Sequence, residues 1–163
     1  MTVRRATLED IEQIMEVYLH AKEYMVASGN PNQWINGYPA REVIEMDIHE
    51  QQFYVCEKNG QVHGAFMFFV GEESTYQVIE QGAWKNDEPY GTIHRLGSDG
   101  KCRRIFEECL AFCRKQHENL RADTHHDNKT MQHLLEKHGF ERCGIVYMKD
   151  GSQRIAYQSV GKK

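Results

Sequence analysis

The chain has 163 residues, 40% of them apolar and 27% charged, and carries a formal net charge of -4 at neutral pH. A domain of about 150 residues buries roughly 70% of its unfolded surface, so this one needs neither disulfide nor metal to fold. The acidic balance excludes a general attraction to nucleic acid or to an anionic membrane, and no basic stripe with interleaved aromatics overrides it.

Val3 to Ala6 reads as a short edge strand. Thr7, with Asp10 three residues on, is an N-cap signal before a periodic apolar run of Ile11, Ile14, Met15, Tyr18 and Met25. Gly29-Asn30-Pro31 ends that helix, and an aromatic loop follows from Gln33 through Trp34 and Tyr38 to Pro39. Ala40 to His49 is a second short helix with Val43, Ile44 and Ile48 inward. Gln52 to Lys58 and Val62 to Val70 are strands joined by Asn59-Gly60, the strongest short hairpin signal. The second is almost wholly apolar, as a strand covered on both faces must be, and its core, Ala65 to Val70, is far too short to span a bilayer.

Gly71 to Tyr90 has the composition of an irregular, charged segment. The spacing then predicts a strand from Gly91 to Leu96, a turn over Gly97 to Gly100 and a helix from Lys101 to Lys115. Leu120 to Thr124 is the next strand, Asn128 to His138 a helix, and Phe140 to Met148 and Gln153 to Ser159 the last two strands. The order is therefore β-α-α-β-β-β-α-β-α-β-β, without repeats, low-complexity tracts or a linker, and residues 1–163 form one domain. Cys56, Cys102, Cys109, Cys113 and Cys143 make an odd count with no C-x-x-C. With no apolar signal region behind Met1 to Arg5, that points to a reducing cytoplasm.

Two stretches carry a family resemblance. One is Tyr90-Gly-Thr-Ile-His-Arg-Leu-Gly-Ser-Asp-Gly-Lys-Cys-Arg-Arg-Ile-Phe106, which runs into an amphipathic helix. The other is Leu120-Arg-Ala-Asp-Thr-His-His-Asp-Asn128, followed after ten residues by Gly139-Phe140. In this order they resemble the GNAT family of acyl-CoA-dependent N-acyltransferases over the whole chain. The resemblance implies an α/β fold with a mixed central sheet of about six to seven strands, helices on both faces, and a splayed parallel strand pair. Those strands would be Ile93 to Leu96 and Leu120 to Thr124, with the pantetheine arm of acetyl-CoA inserted between them. Backbone groups of His94, Arg95 and Leu96 would bond the arm, Asn128 would add a contact, and the pyrophosphate would sit at the N-terminus of the helix from Lys101. Trp34 and Tyr38 would line the acceptor pocket.

The sequence departs from the family at two points. The usual phosphate loop is Q/R-x-x-G-x-G/A, and the register Lys101-Cys102-Arg103-Arg104-Ile105-Phe106 puts Arg104 and Phe106 at its two small-residue positions. Lys101, Arg103 and Arg104 would compensate by charge-assisted bonds to phosphate, whereas Phe106 either crowds the pyrophosphate or belongs to the core. Many relatives protonate the leaving thiolate with a Tyr seven residues after the Asn, a position held here by Leu135. His94 and His125, both at the expected split, are the candidates for proton transfer because a histidine exchanges protons near neutrality. Each residue also has a plainer reading: His94 as a hydrogen-bonded strand residue, Asn128 as a helix N-cap, Trp34 and Tyr38 as core plugs.

Asp123, His125, His126 and Asp127 alternate in direction along a strand end and lack a spaced partner motif, so no metal is expected. Cys109 and Cys113, at i and i+4, read as core packing. The expected function is transfer of an acetyl group from acetyl-CoA to a primary amine of a small molecule or peptide, without nucleic acid or membrane partners. Homodimers are common in the family, but no feature here compels one. The acidic residues Glu72, Glu73, Glu80, Asp87 and Glu88 suit a cationic acceptor. The alternative is a catalytically inert coenzyme A-binding or interaction module, suggested by the altered loop and by Leu135.

Overall fold

The computed structural model describes residues 1–161. Seven strands form one sheet: β1 (Thr2–Arg5), β2 (Phe53–Lys58), β3 (Gln61–Val70), β4 (Gly91–Ser98), β5 (Leu120–Thr124), β6 (Glu141–Tyr147) and β7 (Gln153–Ser159). Their spatial order is β1-β2-β3-β4-β5-β7-β6. Every neighbouring pair is antiparallel except β4 and β5, which run parallel. Four helices complete the fold: α1 (Ile11–Ala27), α2 (Arg41–His49), α3 (Ile105–Gln116) and α4 (Lys129–Lys137). The mixed sheet and the element order are those the sequence predicts, with two added turns of 3-10 helix at Leu8–Asp10 and Ser74–Tyr76. No helix among the described residues is long and apolar enough to cross a membrane.

Strand alternation divides the core between the two faces of the sheet. Along β3, Phe66 and Phe68 pack with Ile105, Phe106, Cys109 and Leu110 of α3. Ala65 and Met67 point the other way, to Ile11, Ile14, Val17 and Tyr18 of α1 and Ile44 of α2. That double cover is why β3 is apolar at both sets of positions. Cys56, Cys109 and Cys113 are buried and free within the α3 layer, in keeping with packing roles. The β2–β3 turn has Asn59 at φ 53° and Gly60 at φ 77°, two left-handed residues whose twist matches the hairpin. At the start of α1, the Thr7 N–H donates to Asp10 Oδ2 at 2.8 Å, as the capping signal predicts.

Two predicted boundaries are corrected around β4. The strand continues to Ser98 instead of ending at Leu96, because its pairing with β3 resumes at Ala65↔Gly97 and Gly64↔Ser98 after a bulge. Arg95, at φ 54°, is the bulged residue. The helix expected from Lys101 begins at Ile105, because Arg104 sits at φ 69°, a left-handed conformation that cannot belong to a right-handed helix. The intervening turn is held by its own side chains: Gly100 N–H donates to Ser98 Oγ at 3.1 Å and Lys101 N–H to Asp99 Oδ1 at 2.9 Å.

Candidate active site

The central feature is the parting of β4 and β5. They pair only at Gly91↔Leu120 and Thr92↔Arg121, although β4 runs on to Ser98 and β5 to Thr124. Beyond Thr92 each strand is bonded on its outer side, β4 to β3 and β5 to β7, and the inner edges face each other without a ladder. Unpaired backbone at depth requires a partner, and a gap between two unpaired strand edges has the shape to take an extended chain.

A cleft of about 680 Å³ lies at the far end of β4, beyond its contact with β5. Its walls are the end of β4 (Leu96, Gly97, Ser98), the second half of α1, the Asp99–Gly100 turn, the start of α3 and the start of α4. Gly97 permits the narrow geometry: a Cβ there would lie 2.9 Å from the Tyr18 ring. That ring is fixed in turn by its hydroxyl, which donates to the Arg95 carbonyl at 2.5 Å. Across the mouth, the Tyr24 hydroxyl of α1 lies 2.9 Å from Thr130 Oγ1 of α4, so one side-chain pair bridges the two walls.

The residues expected to hold the cofactor are distributed unevenly around this cleft. Leu96, Cys102, Arg104, Ile105, Phe106 and Asn128 line it. Lys101 and Arg103 instead line a separate pocket on the far side of the loop, which Arg104 and Cys102 share. Phe106 is 8% exposed and packs in the core layer under α3, with the His138 ring 5.4 Å away. Of the two readings the sequence left open for Phe106, the structure supports the core anchor. Arg104, at the first small-residue position of the usual loop, adopts the backbone conformation that glycine would have there. Asn128 caps α4, its Oδ1 accepting the Met131 N–H at 3.0 Å. Its amide donates to Gln33 Oε1 at 2.9 Å, which leaves one N–H.

His94 lies on the opposite face of β4 from Ile93, where it meets a polar cluster. Its Nε2 is 3.4 Å from Glu73 Oε2 and its Nδ1 3.7 Å from Asp123 Oδ2. The Tyr76 hydroxyl donates to the same Asp123 oxygen at 2.6 Å, and the Tyr76 ring meets the His94 ring edge-on at 5.8 Å. Burial alone would raise the Glu73 carboxyl, but bonds from His94 and Thr75 outweigh it and hold the group at about 2. Of the acidic residues singled out in the sequence, Glu73 is the one that joins this cluster; Glu80 accepts from the Tyr147 hydroxyl instead.

His125 makes none of these contacts. Its Nδ1 accepts the Asp127 N–H at 3.0 Å, and its ring stacks on His126 at 4.2 Å. Burial, then His126 and Arg154, lower it below the usual histidine value. His125, His126 and Asp127 bring three ligand atoms within 4.8 Å of one another, with the His125 Nδ1 lone pair committed to the turn and Nε2 left as its other nitrogen.

Trp34 packs edge-on against Tyr18 at 5.3 Å. The Tyr38 hydroxyl accepts from Arg95 Nη1 at 2.8 Å, and Asp47 accepts from the same guanidinium at 2.6 Å. Gln33 fastens their loop to the split. Its Oε1 accepts from Asn30 at 3.0 Å, Asn128 at 2.9 Å and Thr124 at 3.4 Å, and its main-chain oxygen accepts from Arg154 at 3.0 Å. The sequence carries no signal for Gln33, Tyr24 or Tyr76, since each acts through a partner 47 to 106 residues away.

No protein-family model matches the chain, and no curated protein does. Among solved structures, a GNAT-family acetyltransferase from Streptococcus agalactiae 2603 is 32% identical over 99% of this chain and 96% of its own, with a TM-score of 0.87. A GNAT-family acetyltransferase from Listeria monocytogenes 4b F2365 superposes with a TM-score of 0.70 at 19% identity, covering 97% and 93% of the two chains. A chain of the NatB acetyltransferase complex, solved with CoA and MES, does so with 0.67 at 15% identity over 99% of this chain and 100% of its own. The two more distant likenesses speak for the fold alone, but the streptococcal one, with the split β4–β5 pair, places this chain in the GNAT family of acetyltransferases.

Proposed function

We propose that the protein is an N-acetyltransferase that moves the acetyl group of acetyl-CoA onto a primary amine of a small molecule or peptide. The observation that carries this reading is the divergence of β4 and β5 after Thr92, beside a cleft that leads to the start of α3. Acetyl-CoA supplies the activated thioester. The inner edge of β4 around His94, Arg95 and Leu96 offers main-chain partners to the arm and an N–H donor for the developing oxyanion. Arg104 and the free N–H groups of the first turn of α3 offer cationic and dipolar stabilisation to phosphate.

In the transfer the amine nitrogen bonds the acetyl carbon, the carbon–sulfur bond breaks, and the thiol departs as thiolate. An alkylammonium with a pKa near 10.4 must first lose a proton. We assign that proton to His94, which lies between Glu73 and Asp123, two carboxylates that also favour an approaching ammonium. Trp34 and Tyr38 belong to the loop that closes the acceptor side. Leu135 is 2% exposed within the core and has no polar atom to give, so a thiol of pKa about 8.5 leaves without help from that position.

Thiol release from acetyl-CoA across a panel of primary amines tests the reading. Turnover with at least one amine is expected, and His94→Ala should lower kcat by roughly 10²- to 10⁴-fold while leaving coenzyme A affinity within about a factor of two. Silence on every amine by a protein that still binds coenzyme A would establish the inert binding module instead.

A further inference from the structure

The phosphate loop has a second side. There a pocket of about 360 Å³ is lined by Lys58 from the end of β2, by Lys101, Arg103 and Arg104, and by Glu108 as its one carboxylate. All four cations are exposed. Among the described residues the lysine and arginine ion pairs belong to Arg4, Arg41, Lys85 and Arg95. None of the pocket's cations takes part in them. In a chain of net charge -4, four cations against a single carboxylate in one cavity are a local reversal of the molecule's field. Lys58 is brought there by the tight Asn59–Gly60 turn, and the other three by the irregular loop that delays the start of α3, so two unconnected parts of the sequence build the site.

We propose that this pocket binds a phosphate monoester, and that the cofactor's phosphorylated nucleotide end reaches it from the cleft. Cys102 and Arg104 line both cavities, so the pocket adjoins the cleft at the phosphate loop. The arm and the terminal phosphate are then read by different residues: backbone edges inside the split, side-chain cations outside it. The choice of the cofactor as source of the phosphate rests on the acetyltransferase reading; the anion chemistry of the pocket does not.

Calorimetry at low ionic strength with coenzyme A, 3′-dephospho-coenzyme A and inorganic phosphate separates these points. Wild-type protein is expected to bind coenzyme A about three- to tenfold more tightly than the dephospho form, a preference that weakens with added salt. Lys58→Ala and Arg103→Ala, both at exposed positions that leave the core intact, should each shrink that preference, and together abolish it without weakening dephospho-coenzyme A to the same degree. Equal affinity for the two cofactors, combined with phosphate binding that Lys58→Ala abolishes, would keep the anion site but assign it to free phosphate and overturn the nucleotide assignment. Should neither preference nor phosphate binding respond to the two variants, the site does not exist. Failure of dephospho-coenzyme A to bind at all would count against the acetyltransferase reading, while the phosphate titration still decides the pocket.

Discussion

Glu73 shows how much of this site depends on single side chains held at short range. The carboxyl is half-buried, a setting that by itself favours its neutral form, yet His94 and Thr75 hold it ionised down to about pH 2. Since the folded value lies below the ordinary 4.5, its contribution to stability is complete above pH 4.5 and is lost as the pH falls toward 2. Denaturant unfolding at a series of pH values should therefore show a shallower acid loss between pH 4.5 and 2 for Glu73→Gln than for wild type; matching slopes would mean that the carboxylate does not engage His94. His125 acts in the same direction by a different route. With its value lowered by burial, the unfolded chain takes up a proton first as the pH drops below 6.5, so this residue also makes the fold acid-sensitive.

At the scale of elements, the join between β4 and α3 separates what the sequence discloses from what it hides. Periodicity placed β5 and β7 to the residue and the remaining strands within two residues, because buried alternation is written directly in side-chain type. The start of α3 was not legible. Arg104 has ordinary helix propensity, and only the backbone reveals that it takes the left-handed conformation a glycine usually supplies. Phe106 is the consequence. With the helix beginning at Ile105, the residue just before it, its ring falls into the first buried turn with Leu110 and His138. Phe106→Ala should cost about 3–5 kcal/mol of stability, read as a lowered unfolding midpoint, with no gain in cofactor affinity. Tighter coenzyme A binding at unchanged stability would return Phe106 to the role of a phosphate-crowding residue.

The proton-transfer candidates divide along the same line. His94 and His125 are equivalent by sequence, since both fall at the expected split. Only the folding of the irregular Gly71-to-Tyr90 segment distinguishes them, by carrying Glu73 and Tyr76 to His94 and nothing comparable to His125. That segment has no periodic signal, and it is fixed instead by long-range polar bonds. Asn86 links it to Asn119 and Gln158, and Arg121 lies between the Trp84 and Tyr90 rings at 4.2 and 3.9 Å. Contacts of this kind depend on the finished topology, so they cannot be read from local sequence.

For the molecule as a whole, the sheet behaves as two antiparallel halves hinged at a two-residue parallel contact. β1 to β3 with β4 form one half, under α1, α2 and α3; β5, β7 and β6 form the other, and Gln33 bonds reach across from the α1–α2 loop to both β5 and α4. If the split is a cofactor site, the gap between the halves is filled by a ligand's own amides. Backbone hydrogen exchange resolved along β4 and β5, with and without coenzyme A, measures this directly. Fast exchange is expected at the inward-facing amides between Ile93 and Ser98 in the free protein, and slow exchange there once coenzyme A is bound. Amides already protected before the ligand is added, or protection that appears elsewhere and leaves β4 unchanged, would contradict it.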